Sequence, residues 1–174
     1  MVKCKVATIQ EMEQKWNYEI QNHPNDNRWI IWKETAINNA KNGNRVCFHA
    51  LLDGEIIAEC TAIVSKEDTG LENKEFVDDT SFYLEAFRVV KKYEGQGYFS
   101  KLYRFMEEFL IKRGAKRLIL GVEPTETRNM QIYIHYGFTN FLCTKKETYP
   151  PRTEGESPEE ITVNYYSKEI WIYQ

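Results

Sequence analysis

KKYEGQGYFSKLYRFMEEFLIKRG, residues 91–114, holds two glycines one residue apart, Gly95 and Gly97, and runs straight into an apolar-striped helix. The first N–H groups of a helix are unpaired and carry the positive end of its dipole, and glycine lets a ligand come close to the main chain. A phosphate suits such a place, with the backbone itself as the ligand. Two phosphate motifs fail on spacing. A dinucleotide fingerprint needs a third glycine where Ser100 stands, and a P-loop needs Gly-Lys-Ser/Thr after a longer loop. What remains is a phosphate turn of another kind, or a tight strand-to-helix turn with no ligand.

Outward from this helix the elements read clearly. SFYLEAFRVVK, residues 81–91, is a strand, and AKRLILGV, residues 115–122, is another. Strand, helix, strand is a βαβ unit, so these two strands should run parallel with a right-handed crossover. Pro124 and Thr125 introduce a short helix over 126–136, stopped by Gly137. A strand over 141–149, a loop, and a last antiparallel strand over 161–173 follow. Toward the N-terminus, 3–9 reads as a strand, and Thr8 with Glu11 forms a capping box into a helix carrying Met12, Trp16 and Ile20 at spacing four. A second helix starts at Asp26 or Asn27, lines up Trp29, Trp32, Ala36 and Ala40, and ends at Asn42-Gly43. Asp53-Gly54 is a two-residue hairpin turn between strands 45–52 and 55–64. That register pairs 52 with 55 and therefore Cys47 with Cys60, so the two thiols should face each other as packed thiols, without a disulfide.

Composition sets the class. A chain of 174 residues, 42% hydrophobic and 14% aromatic, can bury one sizeable core, and a single domain over 1–174 is expected. A net charge of −3 argues against nucleic acid as a partner, since phosphate-backbone binding needs a concentrated basic face. No apolar run reaches the ~20 residues of a membrane span, and the first ten residues hold no signal-like apolar stretch. A soluble cytoplasmic protein with no membrane partner is the expectation. The four cysteines show no Cys/His metal spacing, so no metal is expected. Residues 65–80 are polar, acidic and aperiodic: either a solvated connector or a rim that attracts a cationic substrate.

Two motifs stand in order along the chain: Lys92-Tyr93-Glu94-Gly95-Gln96-Gly97 between a strand and a helix, and Tyr133-Ile134-His135-Tyr136-Gly137-Phe138 closing the short helix. From Ser81 to Phe138 the chain resembles the GNAT acyltransferase superfamily, whose signature [RQ]xxGx[GA] precedes a helix and is followed by a Tyr-x-x-x-Gly-Phe pattern. The resemblance implies a mixed α/β fold, with a central, mostly antiparallel sheet, one parallel βαβ unit and flanking helices. It also implies acetyl-CoA as co-substrate. Its diphosphate would sit on N–H groups at Glu94, Gly95, Gln96, Gly97, Tyr98 and Phe99, with Ser100 beside them, and its pantetheine arm would pair along Phe87, Arg88 and Val89 where the parallel strands splay. Two positions depart from the pattern. Lys92 replaces Arg or Gln, which keeps a donor but loses the guanidinium fork. Glu126 stands where an asparagine is frequent, with Arg128 a substitute donor or simply a solvated helix residue.

Acetyl transfer to an amine needs a neutral amine, a stabilised oxyanion and a proton for the leaving thiolate. The resemblance makes Tyr133 the proton donor; the alternative is a packed aromatic. Main-chain N–H groups near Phe87 to Val89 would serve the oxyanion. Glu85 is the one acid in FYLEAFRVV, and burying a carboxylate unpaired is costly, so it reads as the base, acting through water or by orienting the ammonium. LEAF also resembles the LED[FI] of polyamine acetyltransferases. A cross-strand ion pair is the competing reading for Glu85. Lys101 and Arg104 are near enough to the helix start to reach a phosphate, although exposed basic residues are usually just solvated. His49 and His135 read as structural. The acidic segments 65–80 and 154–160 favour a small cationic amine as substrate. The reading is an N-acetyltransferase using direct attack in a ternary complex. The alternatives are a non-catalytic acyl-CoA-binding or protein-docking module of the same fold, and an acetyltransferase of protein lysines or N-termini. Self-association as a homodimer is compatible with either class.

Overall fold

The computed structural model describes residues 1–171. In chain order the elements are β1 (Lys3–Val6), α1 (Ile9–Asn22), α2 (Arg28–Lys41), β2 (Arg45–Leu52), β3 (Glu55–Ile63), β4 (Ser81–Val89), α3 (Tyr98–Lys112), β5 (Arg117–Val122), α4 (Thr127–His135), β6 (Asn140–Tyr149) and β7 (Glu159–Glu169). Short 3₁₀ turns occupy Lys74–Phe76 and Lys91–Tyr93. The strands form one sheet in the order β1-β2-β3-β4-β5-β7-β6. Every neighbouring pair is antiparallel except β4 and β5, which run parallel across the α3 crossover. The mixed α/β architecture expected from the sequence is the one observed.

Helices cover both faces because alternate strand residues point to opposite sides. Leu102, Met106 and Leu110, spaced four apart on α3, are fully buried against Phe48, Ala58, Leu84 and Leu118. Truncating such a residue to alanine costs ~2–5 kcal/mol. On the other face, Met12 and Trp16 of α1 pack with Ala36 and Ile37 of α2 over Cys47. The Thr8 capping box forms as expected: Thr8 Oγ1 accepts from the Glu11 amide, and the Glu11 carboxylate accepts from the Thr8 amide. It also ends β1 at Val6, three residues short of the strand read from the sequence. Asn27 makes no side-chain cap; Asp26 instead accepts from the Arg28 amide and guanidinium.

Three expectations are corrected. The hairpin begins in the expected register, Leu52 opposite Glu55, but a bulge after Ala50 shifts it by one residue. Cys47 therefore faces Thr61, and Cys60 faces Phe48. A one-residue slip sends side chains to the opposite face, so Cys47 lies under α1 and α2 while Cys60 touches Met106 Sδ at 3.5 Å beneath α3. The thiols do not meet. Residues 65–80 are no solvated connector: Asp68, Leu71, Phe76 and Val77 are buried. The last strand starts at Glu159 and ends at Glu169, with Ile170 donating to the Lys116 carbonyl at 2.8 Å; the positions 172 and 173 assigned to it from sequence lie outside the described residues.

Candidate active site

The opening is made by β4. Its parallel ladder with β5 covers only Ser81, Phe82 and Tyr83, opposite Arg117, Leu118 and Ile119. Beyond Tyr83 the two strands separate, leaving Leu84 to Val89 without a β5 partner. On its other side β4 bulges: Glu85 faces Thr61 and Arg88 faces Glu59, so two residues oppose Cys60 alone. Ala86 sits in that bulge at φ +57°, a conformation uncommon for a non-glycine residue. Bulges of this kind re-aim side chains beside functional clefts.

On the α3 side of the gap lies a cavity of about 570 Å³. Gly95 and Gly97 form its turn at φ +72° and +79°, where side chains are disfavoured. Gly97 opens α3 without a side-chain cap. Among the described residues the amides of Tyr98, Phe99 and Ser100 have no hydrogen-bond partner, and the first helical bond is from Lys101 to the Gly97 carbonyl at 3.3 Å. This is the bare helix start that the glycine pattern implies. Of the cofactor residues named from sequence, Phe87, Val89, Glu94, Gly95, Gly97, Tyr98, Phe99 and Ser100 line this cavity.

Arg88, Lys92 and Gln96 do not. Arg88 points to the other face, donating from Nε to Glu59 at 2.5 Å with its guanidinium over Trp16 and Trp29. Lys92 pairs with Glu55 at 3.0 Å, and Gln96 donates to the Lys92 carbonyl at 2.9 Å. Lys101 and Arg104 are exposed and line neither cavity described here. Arg128 reaches the cavity and meets Glu94 at 3.4 Å. Asn129, one helical turn before Tyr133, lines the wall as well, although the sequence pattern directed attention to position 126. His135, read as structural, also borders this cavity.

A second cavity, about 360 Å³, is walled by Trp32, Tyr83, Glu85, Glu147 and Tyr149, among others. Phe87 and Tyr133 border both cavities, with their rings 5.6 Å apart. Tyr133 stands at that junction on α4. Its hydroxyl makes no hydrogen bond among the described residues, and burial, assisted by the charge of Glu126, pushes its pKa up to about 12.

Glu85 reaches the second cavity while accepting from Arg45 Nη1 at 2.9 Å. Burial raises its pKa against the pull of Arg45. Glu85 is thus ion-paired, as the competing sequence reading has it, and its side chain remains about one-third exposed. The wall residues that sequence reasoning missed are Trp32, Glu147 and Tyr149. Alternation over FLCTKKETY places Lys145, Glu147 and Tyr149 on one face of β6, a signal that was available. Of the acidic segments, Glu72 enters the wall and Asp68 lies beneath it, whereas Glu159 is paired to Arg28 at 3.0 Å and Glu160 to Lys146 at 3.2 Å. Under α1, Cys47, His49 and Glu59 bring possible metal-ligand atoms within 4.8 Å of one another. Lys15 and Arg88 already flank that carboxylate, which sets two cations against any third.

The architecture is that of solved acetyltransferase structures. The ribosomal-protein-S18-alanine N-acetyltransferase of Escherichia coli superposes with a TM-score of 0.68 at 17% identity, covering 100% of this chain and 97% of that one. A probable acetyltransferase from Staphylococcus epidermidis gives 0.68 at 13% identity over 97% and 99%. A GNAT family acetyltransferase from Elizabethkingia anophelis with acetyl-CoA bound gives 0.56 at 15% identity over 78% and 82%. No curated sequence matches the chain. The chain belongs to the acetyltransferase (GNAT) family, whose model matches residues 6–138.

Proposed function

We propose that the protein transfers an acetyl group from acetyl-CoA to the primary amine of a small cationic molecule. The observation that carries this reading is the pair of cavities joined at Phe87 and Tyr133, one beside a bare helix N-terminus and the other beside carboxylates. Acetyl-CoA would supply the activated thioester. The residues fit it: unpartnered amides at Tyr98 to Ser100 suit a diphosphate, and the β4 backbone beyond Tyr83, freed from β5, offers donors and acceptors to an extended arm. The Elizabethkingia relative with acetyl-CoA bound supports that choice of co-substrate.

Tyr133 holds a proton at its hydroxyl throughout the neutral range, as a donor to a departing thiolate must. Glu85 orients the incoming ammonium or takes its proton through water. A small acceptor is favoured over a protein one by the modest volume of the second cavity. The Asn27 amide donates to the Arg152 carbonyl at 2.7 Å and Arg28 bridges to Glu159, which ties α2 to the β6–β7 loop. About 360 Å³ accommodates a small molecule. The test is release of free thiol from acetyl-CoA in the presence of a panel of small amines, with mass spectrometry of the acetylated product. No release with any amine while acetyl-CoA still binds would favour a non-catalytic acyl-CoA-binding module, and release without an acetylated amine would mean transfer of the acetyl group to water.

A further inference from the structure

The charges around the second cavity do not balance. Arg45 is matched by the fully buried Asp68, whose two oxygens accept from Nε at 2.7 Å and Nη2 at 2.6 Å. Arg88 is matched by the buried Glu59. With those two pairs closed, Glu85, Glu147 and Glu72 remain on the wall. Glu85 at least shares Arg45. Glu147 has no cation within ion-pairing distance among the described residues and accepts one hydrogen bond, from Asn73 Nδ2 at 3.1 Å. The lysine two positions before it on the same strand face, Lys145, is committed to Glu75 and to Asn73 Oδ1. Burial and the charges of Glu72 and Glu85 raise its pKa against the pull of Asn73 and Lys145, and a cation brought by a ligand would oppose that rise.

The placement gives that cation a direction. Glu85 is two residues from Phe87, at the coenzyme junction, whereas Glu147 lies three strand steps away on β6. Three steps at ~4.8 Å, widened where β4 leaves β5 beyond Tyr83, set the two backbones at least roughly 14 Å apart, room for several methylenes between two ammonium groups. The wall between them is aromatic, with Trp32 and Tyr149 meeting edge to face at 5.7 Å and Tyr83 stacked on Phe76. Such rings pack against methylenes and attract ammonium groups over their faces.

We infer that Glu147 seats a second cationic group of the acceptor, so that the protein selects doubly charged linear amines, the reacting nitrogen at Glu85 and the distal one at Glu147. This rests on the amine-acetylation reading above and names the residue that sets its specificity. The test compares 1,4-diaminobutane and 1,5-diaminopentane with 1-aminobutane and 1-aminopentane, on wild type, Glu147→Asp and Glu147→Gln. Wild type should favour the diamines in kcat/KM by roughly ten- to a hundredfold, the range of a hydrogen bond to a charged group. Glu147→Gln should erase the preference through KM while keeping the Asn73 contact, and Glu147→Asp should restore part of it. Equal preference in wild type and Glu147→Gln overturns the inference. If no amine is acetylated while acetyl-CoA binds, the parent reading fails by itself. Calorimetric titration of the same amines into the coenzyme A complex then decides Glu147: tighter diamine binding lost in Glu147→Gln sustains its role, and identical binding ends it.

Discussion

Arg45 grips the buried Asp68 through two nitrogens and reaches Glu85 with the third, so one guanidinium ties the loop 65–80 to the β4 bulge. Removing the arginine would strand a carboxylate that has no exposure at all. Breaking a buried pair from one side costs ~3–5 kcal/mol, while replacing both partners together costs far less. Arg45→Met should therefore lower the urea midpoint sharply, and Arg45→Met with Asp68→Leu should recover much of the loss. Equal midpoints for Arg45→Met and wild type would mean that the pair contributes nothing.

Glu85 should set the acid limb of the activity profile. Its carboxyl is raised by burial, so the limb should lie above the ordinary glutamate value of ~4.3. Below that pH the group is protonated and accepts no proton from the amine. Glu85→Gln should abolish this limb and move activity to higher pH, where the amine loses its proton to bulk water. A profile unchanged in the variant would reduce Glu85 to a partner of Arg45.

For Tyr133→Phe the expected loss is in the chemical step. General acid groups typically contribute ~10²–10⁴-fold, so kcat should fall by at least the lower figure. The hydroxyl makes no hydrogen bond among the described residues, and coenzyme affinity measured by calorimetry should change little. A variant with full kcat would remove Tyr133 from the chemistry.

Gly97→Ala separates ligand from fold. A Cβ at Gly97 would meet nothing within 4 Å, but φ +79° is unfavourable for alanine by ~1–2 kcal/mol. Stability should drop by about that amount. Coenzyme A affinity should drop by more, because the methyl occupies the approach to the Tyr98–Ser100 amides. Unchanged affinity would place the diphosphate elsewhere.

His49 gives the fold a pH dependence of defined sign. It is wholly buried, both ring nitrogens lack hydrogen-bond partners, and burial holds its pKa below the usual 6.5. The unfolded chain takes up a proton below that value while the folded chain resists it. Stability is therefore complete above pH ~6.5 and declines as pH falls toward the folded-state value. Urea midpoints should decrease from pH 7 to pH 5 in wild type, and His49→Leu should flatten that slope.

Much of this was legible in the sequence, since its strongest signals are local. The Thr8–Glu11 box, the Gly95-x-Gly97 turn and the period of α3 act within a few residues, and each formed where the pattern placed it. The failures were matters of register and partnership. A single bulge after Ala50 sent Cys47 and Cys60 to opposite faces. The side chains of Arg88 and Lys92, within the stretch read as coenzyme-binding, pair with Glu59 and Glu55, partners set by the fold and not by spacing. The acid-rich segment 65–80 looked hydrophilic, yet Leu71, Phe76 and Val77 carry it into the core.

The chain's order of residues settled the parallel β4–α3–β5 unit and the bare helix start at Gly97, because a helix start needs only its own amides and the glycines before it. Tertiary structure alone decided which acids share the second cavity. Glu72, Glu85 and Glu147 lie on three separate segments and meet only when the sheet and its covering loop assemble. Whether each keeps its charge free depends on which distant cation folding delivers to it: Arg45 for Glu85, and for Glu147 none from the described chain.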